Sequence, residues 1–95
     1  MQATDKNYHH FVNGNTVTGE SGRSQPIYNP SLGCVSGSVT LATPAEVDTA
    51  VQSAANALGE WSSMNPQRRA RVLFNFKALV EADADELAAL IAAEH

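Results

Sequence analysis

The stretch VTLATPAEVDTAV (Val39–Val51) decides the fold, because the period of the apolar residues changes within it. Over Val35–Thr43 apolar and polar residues alternate, which is typical of a strand with one buried face. Next comes a helix start: the Thr43 hydroxyl caps, Pro44 takes a position that needs no N–H donor, and Glu46 reaches back to the Thr43 amide. The sequence therefore predicts a strand followed directly by a helix.

Short strand-forming segments precede this boundary. Tyr8–Val12 and Asn15–Thr18 flank the dipeptide Asn13-Gly14, which tolerates the positive φ angles of a two-residue hairpin turn. A further extended segment is expected over Gln25–Pro30, where a turn follows the proline. The first part of the chain is therefore predicted to hold a β-hairpin and short strands.

Two or three amphipathic helices are expected after the strands. The second helix has Asn65 as its cap and Pro66 at its first position. A third is predicted to begin at Asp83, with Glu86 as its capping-box partner, although the segment EADADE also permits the second helix to run straight through. The apolar stripes are Val47, Val51, Ala54, Leu58 and Trp61 in the first helix, Val72, Leu73, Phe76, Leu79 and Val80 in the second, and Leu87, Leu90 and Ile91 in the third.

Length and composition limit the size of the core. The chain has 95 residues, a net charge of −4 and 43% hydrophobic residues, which is enough for one small domain. Many of these hydrophobic residues are Ala, which removes little apolar area from water, so we expect a thin core that needs a partner surface. No run approaches the roughly 20 apolar residues that cross a bilayer, and the N-terminus is polar, so a cytoplasmic location is expected.

Cysteine and histidine are the first candidates for chemistry. The single cysteine, Cys34, cannot form an internal disulfide and has no cation or helix start beside it in the sequence, so a structural role is predicted. His9 and His10 are adjacent on a predicted strand, so they point to opposite faces and cannot share a metal ion without a third element. Both are expected at the surface, and no role is assigned to His95.

The remaining candidates also favour structural roles. Asp83, Asp85 and Glu86 stand where the helix dipole favours carboxylates, and Trp61 is expected to be a packing anchor. No glycine pattern matches G-x-G-x-x-G or the P-loop. The sequence therefore predicts no catalytic, cofactor-binding or metal-binding residue in this chain.

One basic cluster is present, at Arg68, Arg69 and Arg71. It lacks the aromatic platforms and the further basic runs of nucleic-acid-binding proteins, so neither nucleic acid nor a membrane is an expected partner. A solvated or subunit-facing helix face is the favoured interpretation. Contact of this face with the phosphate of a ligand stays open as an alternative.

Three segments together resemble the N-terminal part of the NAD-dependent aldehyde dehydrogenase superfamily, from about His10 onward. They are FVNGNTV (Phe11–Val17), the run from IYNPSLG to GEWS (Ile27–Ser62), and the run from NPQRR to AAEH (Asn65–His95). Within the superfamily, GESGR (Gly19–Arg23) and NPQRRARVLFNF look most like methylmalonate-semialdehyde dehydrogenase, the coenzyme A-acylating member of valine and myo-inositol catabolism.

The resemblance implies a fold and a reaction for the parent protein. Residues 1–42 would be an N-terminal β-hairpin and strands, and residues 43–95 the helical start of a Rossmann-like α/β cofactor domain, which makes this chain an α+β fragment. The parent would oxidise an aldehyde with NAD through a cysteine thioester and pass the acyl group to coenzyme A. Its nucleophilic cysteine would lie outside this chain. Cys34 stands where relatives commonly have Glu or another polar residue, so the resemblance gives it no catalytic role.

The last residues, DELAALIAAEH (Asp85–His95), predict a helix without the Gly, Asn or Pro that usually closes one. We therefore expect a truncated chain that acts as scaffold in a longer enzyme and is inactive alone. Its partners would be the remainder of the parent enzyme or other copies of itself, in a homo-oligomer. One alternative is a stand-alone, non-enzymatic helical interaction module derived from an aldehyde dehydrogenase leader. A second is binding of coenzyme A or NAD⁺ by the face of Arg68, Arg69 and Arg71, which we do not expect.

Overall fold

The computed structural model describes residues 6–95, so the first five residues of the predicted 1–42 part lie outside the description. Within the described range strands come first and helices follow, which confirms the predicted α+β class. The strands are β1 (Asn7–Tyr8), β2 (His10–Val12), β3 (Asn15–Val17), β4 (Ser24–Asn29) and β5 (Cys34–Thr40), and the helices are α1 (Pro44–Ser63), α2 (Pro66–Ala82) and α3 (Ala84–Glu94).

The predicted hairpin is confirmed. β2 and β3 are antiparallel, with Phe11 opposite Thr16 and Val12 opposite Asn15. Asn13 and Gly14 have φ angles of 53° and 76°, so both turn residues are left-handed. This is the backbone of the two-residue turn whose twist matches that of the flanking strands.

The prediction of one strand over Tyr8–Val12 is wrong, because the run is divided at His9. β1 pairs in parallel with β5, whereas β2 pairs with β3. His9 leaves both ladders, and its Nδ1 accepts a hydrogen bond from the Gly19 amide at 3.2 Å. A run of β-forming residues does not show that its two halves have different partners.

β5 is the central strand of a three-stranded sheet in the order β1-β5-β4. β4 is antiparallel to it, with a register shift between Ile27 and Tyr28. β1 approaches so closely that a Cβ on Gly37 would lie 2.8 Å from the Lys6 carbonyl oxygen, which explains the glycine. The predicted strand over Val35–Thr43 is wrong at its end, since β5 stops at Thr40 and the next three residues lead into the cap of α1.

The predicted starts of the first two helices are confirmed. The Glu46 amide donates to Thr43 Oγ1 at 3.1 Å, and the Thr43 amide donates to Glu46 Oε1 at 2.9 Å, which completes the capping box. At α2 the Gln67 amide donates to Asn65 Oδ1 at 2.8 Å. Each helix therefore has side-chain acceptors for amides that its own backbone leaves unpaired.

A separate third helix is confirmed, but its predicted capping box is wrong. Asp83 alone separates α2 from α3, and its side chain makes no cap hydrogen bond. Its amide instead donates to the Leu79 and Val80 carbonyls and so closes α2. With ψ at 17° rather than the extended 159° of Thr43, Asp83 lacks the backbone geometry of an N-cap.

None of the apolar side chains in residues 6–95 is buried, and the helix stripes are open. Leu58 and Phe76 are each 62% exposed. The accessible surface is 7647 Å², against roughly 5,300 Å² for a compact monomer of this size. The radius of gyration is 17.2 Å, against about 13 Å for a compact domain of similar length. No helix of the described part is long and apolar enough to cross a membrane.

Candidate functional site

The hairpin and the first half of α1 line an open cleft of about 620 Å³. We name it the hairpin cleft. Its apolar walls are Phe11, Val12 and Val17 from the hairpin and Val47, Ala50 and Val51 from α1. At one end stand the polar groups of His10, Glu20, Thr43 and Glu46. An apolar recess with polar groups at one end is typical of a site that receives another group.

Glu46 joins three segments at the polar end of the hairpin cleft. Its Oε1 accepts from the Thr43 amide and, at 3.5 Å, from the Glu20 amide. Its Oε2 lies 3.9 Å from His10 Nε2. The hydrogen bond from the Thr43 amide is the largest influence lowering the pKa of this carboxyl from its ordinary value, and partial burial opposes it. A carboxylate held in this way serves as a fixed acceptor.

The expectation that His10 lies at the surface is wrong, because the side chain is only 21% exposed. Gly19 lies close to this imidazole, since a Cβ added to Gly19 would clash with the Thr40 side chain and lie 3.0 Å from His10 Nε2. That nitrogen is buried and has no hydrogen-bond partner among the residues the structure describes. Sequence analysis could identify Glu46 from its capping box. It missed His10, because nothing in the sequence near His10 indicates that this residue contacts Glu46.

Cys34 lies outside the hairpin cleft. It is the first residue of β5, is half-buried and stands opposite Asn29 of β4. No group of three or more His, Cys, Asp or Glu side chains that could hold a metal ion occurs in residues 6–95. The structural role of Cys34 and the lack of site residues in this chain stay predictions.

The basic cluster lies in the first turns of α2. Arg68 and Arg71 are exposed, and Arg69 is half-buried. The Nε of Arg69 is buried and has no hydrogen-bond partner in the described part of the chain. The carboxylates of Asp85 and Glu86 lie in the first turn of α3, where the helix dipole favours them.

The residues present do not fit a dinucleotide cofactor by themselves. Dinucleotides place their pyrophosphate at an open helix N-terminus behind a glycine-rich turn. The first turn of α1 instead holds the Glu46 carboxylate, whose charge would oppose a phosphate, and α2 begins with the Asn65 cap and a proline. No step of chemistry is therefore assigned to a cofactor on this chain.

Comparison with known proteins places most of the chain within one family model. Residues 16–95 match the model described as the aldehyde dehydrogenase family. The malonate-semialdehyde dehydrogenase of Bacillus pumilus (strain SAFR-032) is 37% identical over 85 residues, which are 90% of this chain and 18% of the relative. The malonate-semialdehyde dehydrogenase of Pseudomonas aeruginosa is 37% identical over 87 residues, which are 92% of this chain and 17% of the relative.

Solved structures give the same result. A protein assigned as methylmalonate-semialdehyde dehydrogenase from Sinorhizobium meliloti 1021, crystallised with NAD, is 42% identical with a TM-score of 0.93 over 99% of this chain and 19% of its own. The methylmalonate-semialdehyde dehydrogenase of Oceanimonas doudoroffii is 39% identical with a TM-score of 0.88 over 94% of this chain and 18% of its own. The chain thus spans less than a fifth of the length of these relatives.

Proposed function

The chain belongs to the aldehyde dehydrogenase family, and we propose that it is the N-terminal segment of an NAD-dependent, coenzyme A-acylating methylmalonate-semialdehyde dehydrogenase. The observation that carries the proposal is the TM-score of 0.93 with 42% identity over 99% of the chain, against a structure crystallised with NAD. The whole enzyme would oxidise its aldehyde through a cysteine thioester and transfer the acyl group to coenzyme A. These steps would use residues outside the present chain.

Within that enzyme the segment would act as scaffold. The argument rests on the open helix stripes, since exposed apolar patches of this extent mark surfaces that another polypeptide covers. α1 and α2 are capped at their starts, and all three helices carry large apolar side chains outward, so what they lack is a covering surface rather than a local bond. The remainder of the enzyme would supply that surface, and further copies would complete a cytoplasmic homo-oligomer.

A chimera tests the proposal. The corresponding segment of the Sinorhizobium meliloti protein is replaced by this chain, and NADH formation is followed with methylmalonate semialdehyde and coenzyme A. We expect the chimera to keep activity and to produce acyl-coenzyme A. Cys34→Ser should leave the rate unchanged, because the proposed nucleophile lies elsewhere.

A matched pair of substitutions on α1 tests the scaffold role. Leu58→Asp places a charge in the apolar stripe, whereas Gln52→Asp places the same charge on a polar position that bonds Asn56. Leu58→Asp should remove most of the active, assembled enzyme and Gln52→Asp should not. Equal activity of both variants would contradict the scaffold role, and an assembled but inactive chimera would contradict the proposed enzyme.

A further inference from the structure

The tip of the hairpin carries a chemically reactive dipeptide. Asn13 and Gly14 are both exposed, and the space around Gly14 is open, since a Cβ added there would meet no atom within 4 Å. Backbone hydrogen bonds of turns and loops in residues 6–95 do not include one from the Gly14 amide. The Gly14 amide nitrogen, which follows Asn13, therefore makes no backbone hydrogen bond that would hold it away from the Asn13 side chain.

We propose that Asn13 is a self-modification site, at which the chain converts asparagine to aspartate and isoaspartate. The Gly14 nitrogen loses its proton to the solvent and attacks the side-chain carbonyl carbon of Asn13, and a C–N bond forms to give a succinimide. The C–NH₂ bond breaks, and the amino group takes up a proton and leaves as ammonia. Water then opens either carbonyl of the ring. One product is an ordinary aspartate at this position, and the other carries the backbone through the former side chain. No oxidant or reductant is needed, and water is the only co-reactant.

The reaction requires the turn to open briefly. Asn13 is held in the left-handed region with φ at 53°, so its backbone must rotate before the ring can close. The ladder that resists this rotation is short, because β2 and β3 have three residues each, and a two-stranded hairpin is only marginally stable on its own. The side-chain bond from Asn15 Nδ2 to the Asn13 carbonyl is exposed to solvent. Local opening at this tip therefore costs little free energy.

The other asparagines provide internal comparisons. Asn29 and Asn65 each precede proline, which has no N–H to lose when its nitrogen attacks. Asn15 is the closest match, since it is exposed and lies in the same hairpin, but it precedes the β-branched Thr16. Because Gly14 lacks a Cβ and Thr16 has a branched one, we expect loss of ammonia to be faster at Asn13 than at Asn15.

The modification would loosen the hairpin. Isoaspartate inserts an extra methylene into the backbone, so the two-residue turn no longer sets Val12 opposite Asn15. The aspartate product keeps the turn, because Asp-Gly is also compatible with it. The isoaspartate form is therefore expected to lose amide protection in β2 and β3.

In the experiment the full chain is incubated at neutral pH and a fixed temperature and followed by peptide mass mapping. The fragmentation method distinguishes aspartate from isoaspartate. We expect Asn13 to be converted before Asn15, with isoaspartate among the products. Asn13→Gly is the control, because it removes the reactive side chain and still permits the turn. Ageing should raise hydrogen exchange at Val12 and Val17 in the native chain and leave the variant unchanged. Equal rates of ammonia loss at Asn13 and Asn15 would contradict Asn13 as the modification site. Unchanged hydrogen exchange in the isoaspartate form would contradict the proposed loosening of the hairpin.

Discussion

Glu46 makes contacts at two very different sequence distances. Its bond to Thr43 spans three residues and follows from the TPAE pattern alone. Its approaches to the Glu20 amide and to His10 join residues that β4 and β5 separate along the chain, and the local pattern does not describe the path between them. The carboxylate therefore fixes the start of α1 and also lies at the junction with the hairpin.

Removing the cap should weaken α1 from its first turn. Thr43→Ala takes away the acceptor of the Glu46 amide and should cost about 1 kcal/mol of helix stability. The control is Thr49→Ala, because Thr49 lies inside α1 and its hydroxyl bonds the Ala45 carbonyl, so alanine there should be neutral or favourable. Helix content from far-UV circular dichroism compares the two, and an equal effect would contradict the capping role.

Acid should weaken the other half of the capping box, in which the Glu46 carboxylate accepts from the Thr43 amide. The pKa of Glu46 is lowered from its ordinary value of 4.5, chiefly by the Thr43 amide. A lowered pKa in the folded state stabilises the fold above pH 4.5, and this contribution is lost as pH falls through the folded-state pKa. Glu46→Gln keeps an acceptor without a titrating charge, so its helix signal should lose less over that acid range. Glu60→Gln is the matched control and should lose signal like the native chain.

The capping and hairpin residues were predictable because each acts within a few positions of its partner. Thr43, Asn65 and the Asn13-Gly14 turn belong to this class. The position of His10 was not predictable, since it depends on where β2 lies relative to α1. Local chemistry determines such turns and caps, whereas the candidate site depends on tertiary packing.

At the scale of elements, the strands and helices were predicted more accurately than their ends and partners. Asp83 shows why. The pattern D-x-x-E from Asp83 to Glu86 is typical of a helix start, but the backbone amide of Asp83 instead closes the preceding helix α2. Asp83 is the single residue between the two helices, and with ψ at 17° it does not have the extended conformation typical of a cap. Likewise β5 ends early because the last residues before α1 must turn towards its cap.

Two glycines in open space should respond in opposite ways to alanine. Gly59 lies inside α1, and an added Cβ meets no atom within 4 Å, so Gly59→Ala should stabilise the helix by roughly 0.5–1 kcal/mol. Gly14 has the same open space but a φ of 76°, so Gly14→Ala should destabilise the hairpin by roughly 1–2 kcal/mol. Circular dichroism measures the first and hydrogen exchange at Val12 and Val17 the second. If both substitutions changed stability in the same direction, the space around the glycine, and not its backbone conformation, would determine the effect of alanine.

For the whole molecule, the described residues form elements without a closed core. The helix stripes predicted from period are present, but they face outward. The spacing of apolar residues shows which side of a helix is apolar, but it does not show which surface covers that side. The thin core expected from the Ala-rich composition agrees with this open arrangement.

The open stripes should make the state of the chain depend on its concentration. Burial of exposed Phe and Leu side chains is favourable by roughly 1.5–3 kcal/mol each, which association can recover when folding alone does not. We expect sedimentation velocity to show assemblies that grow with concentration, and a thermal transition that moves with concentration. Phe76→Asp should reduce assembly, because Phe76 is 62% exposed on the stripe of α2. Asn75→Asp adds the same charge at the adjacent exposed position and should have a smaller effect. A monomer with a sharp, concentration-independent transition would instead favour a self-sufficient module, because its apolar stripes would then need no second surface.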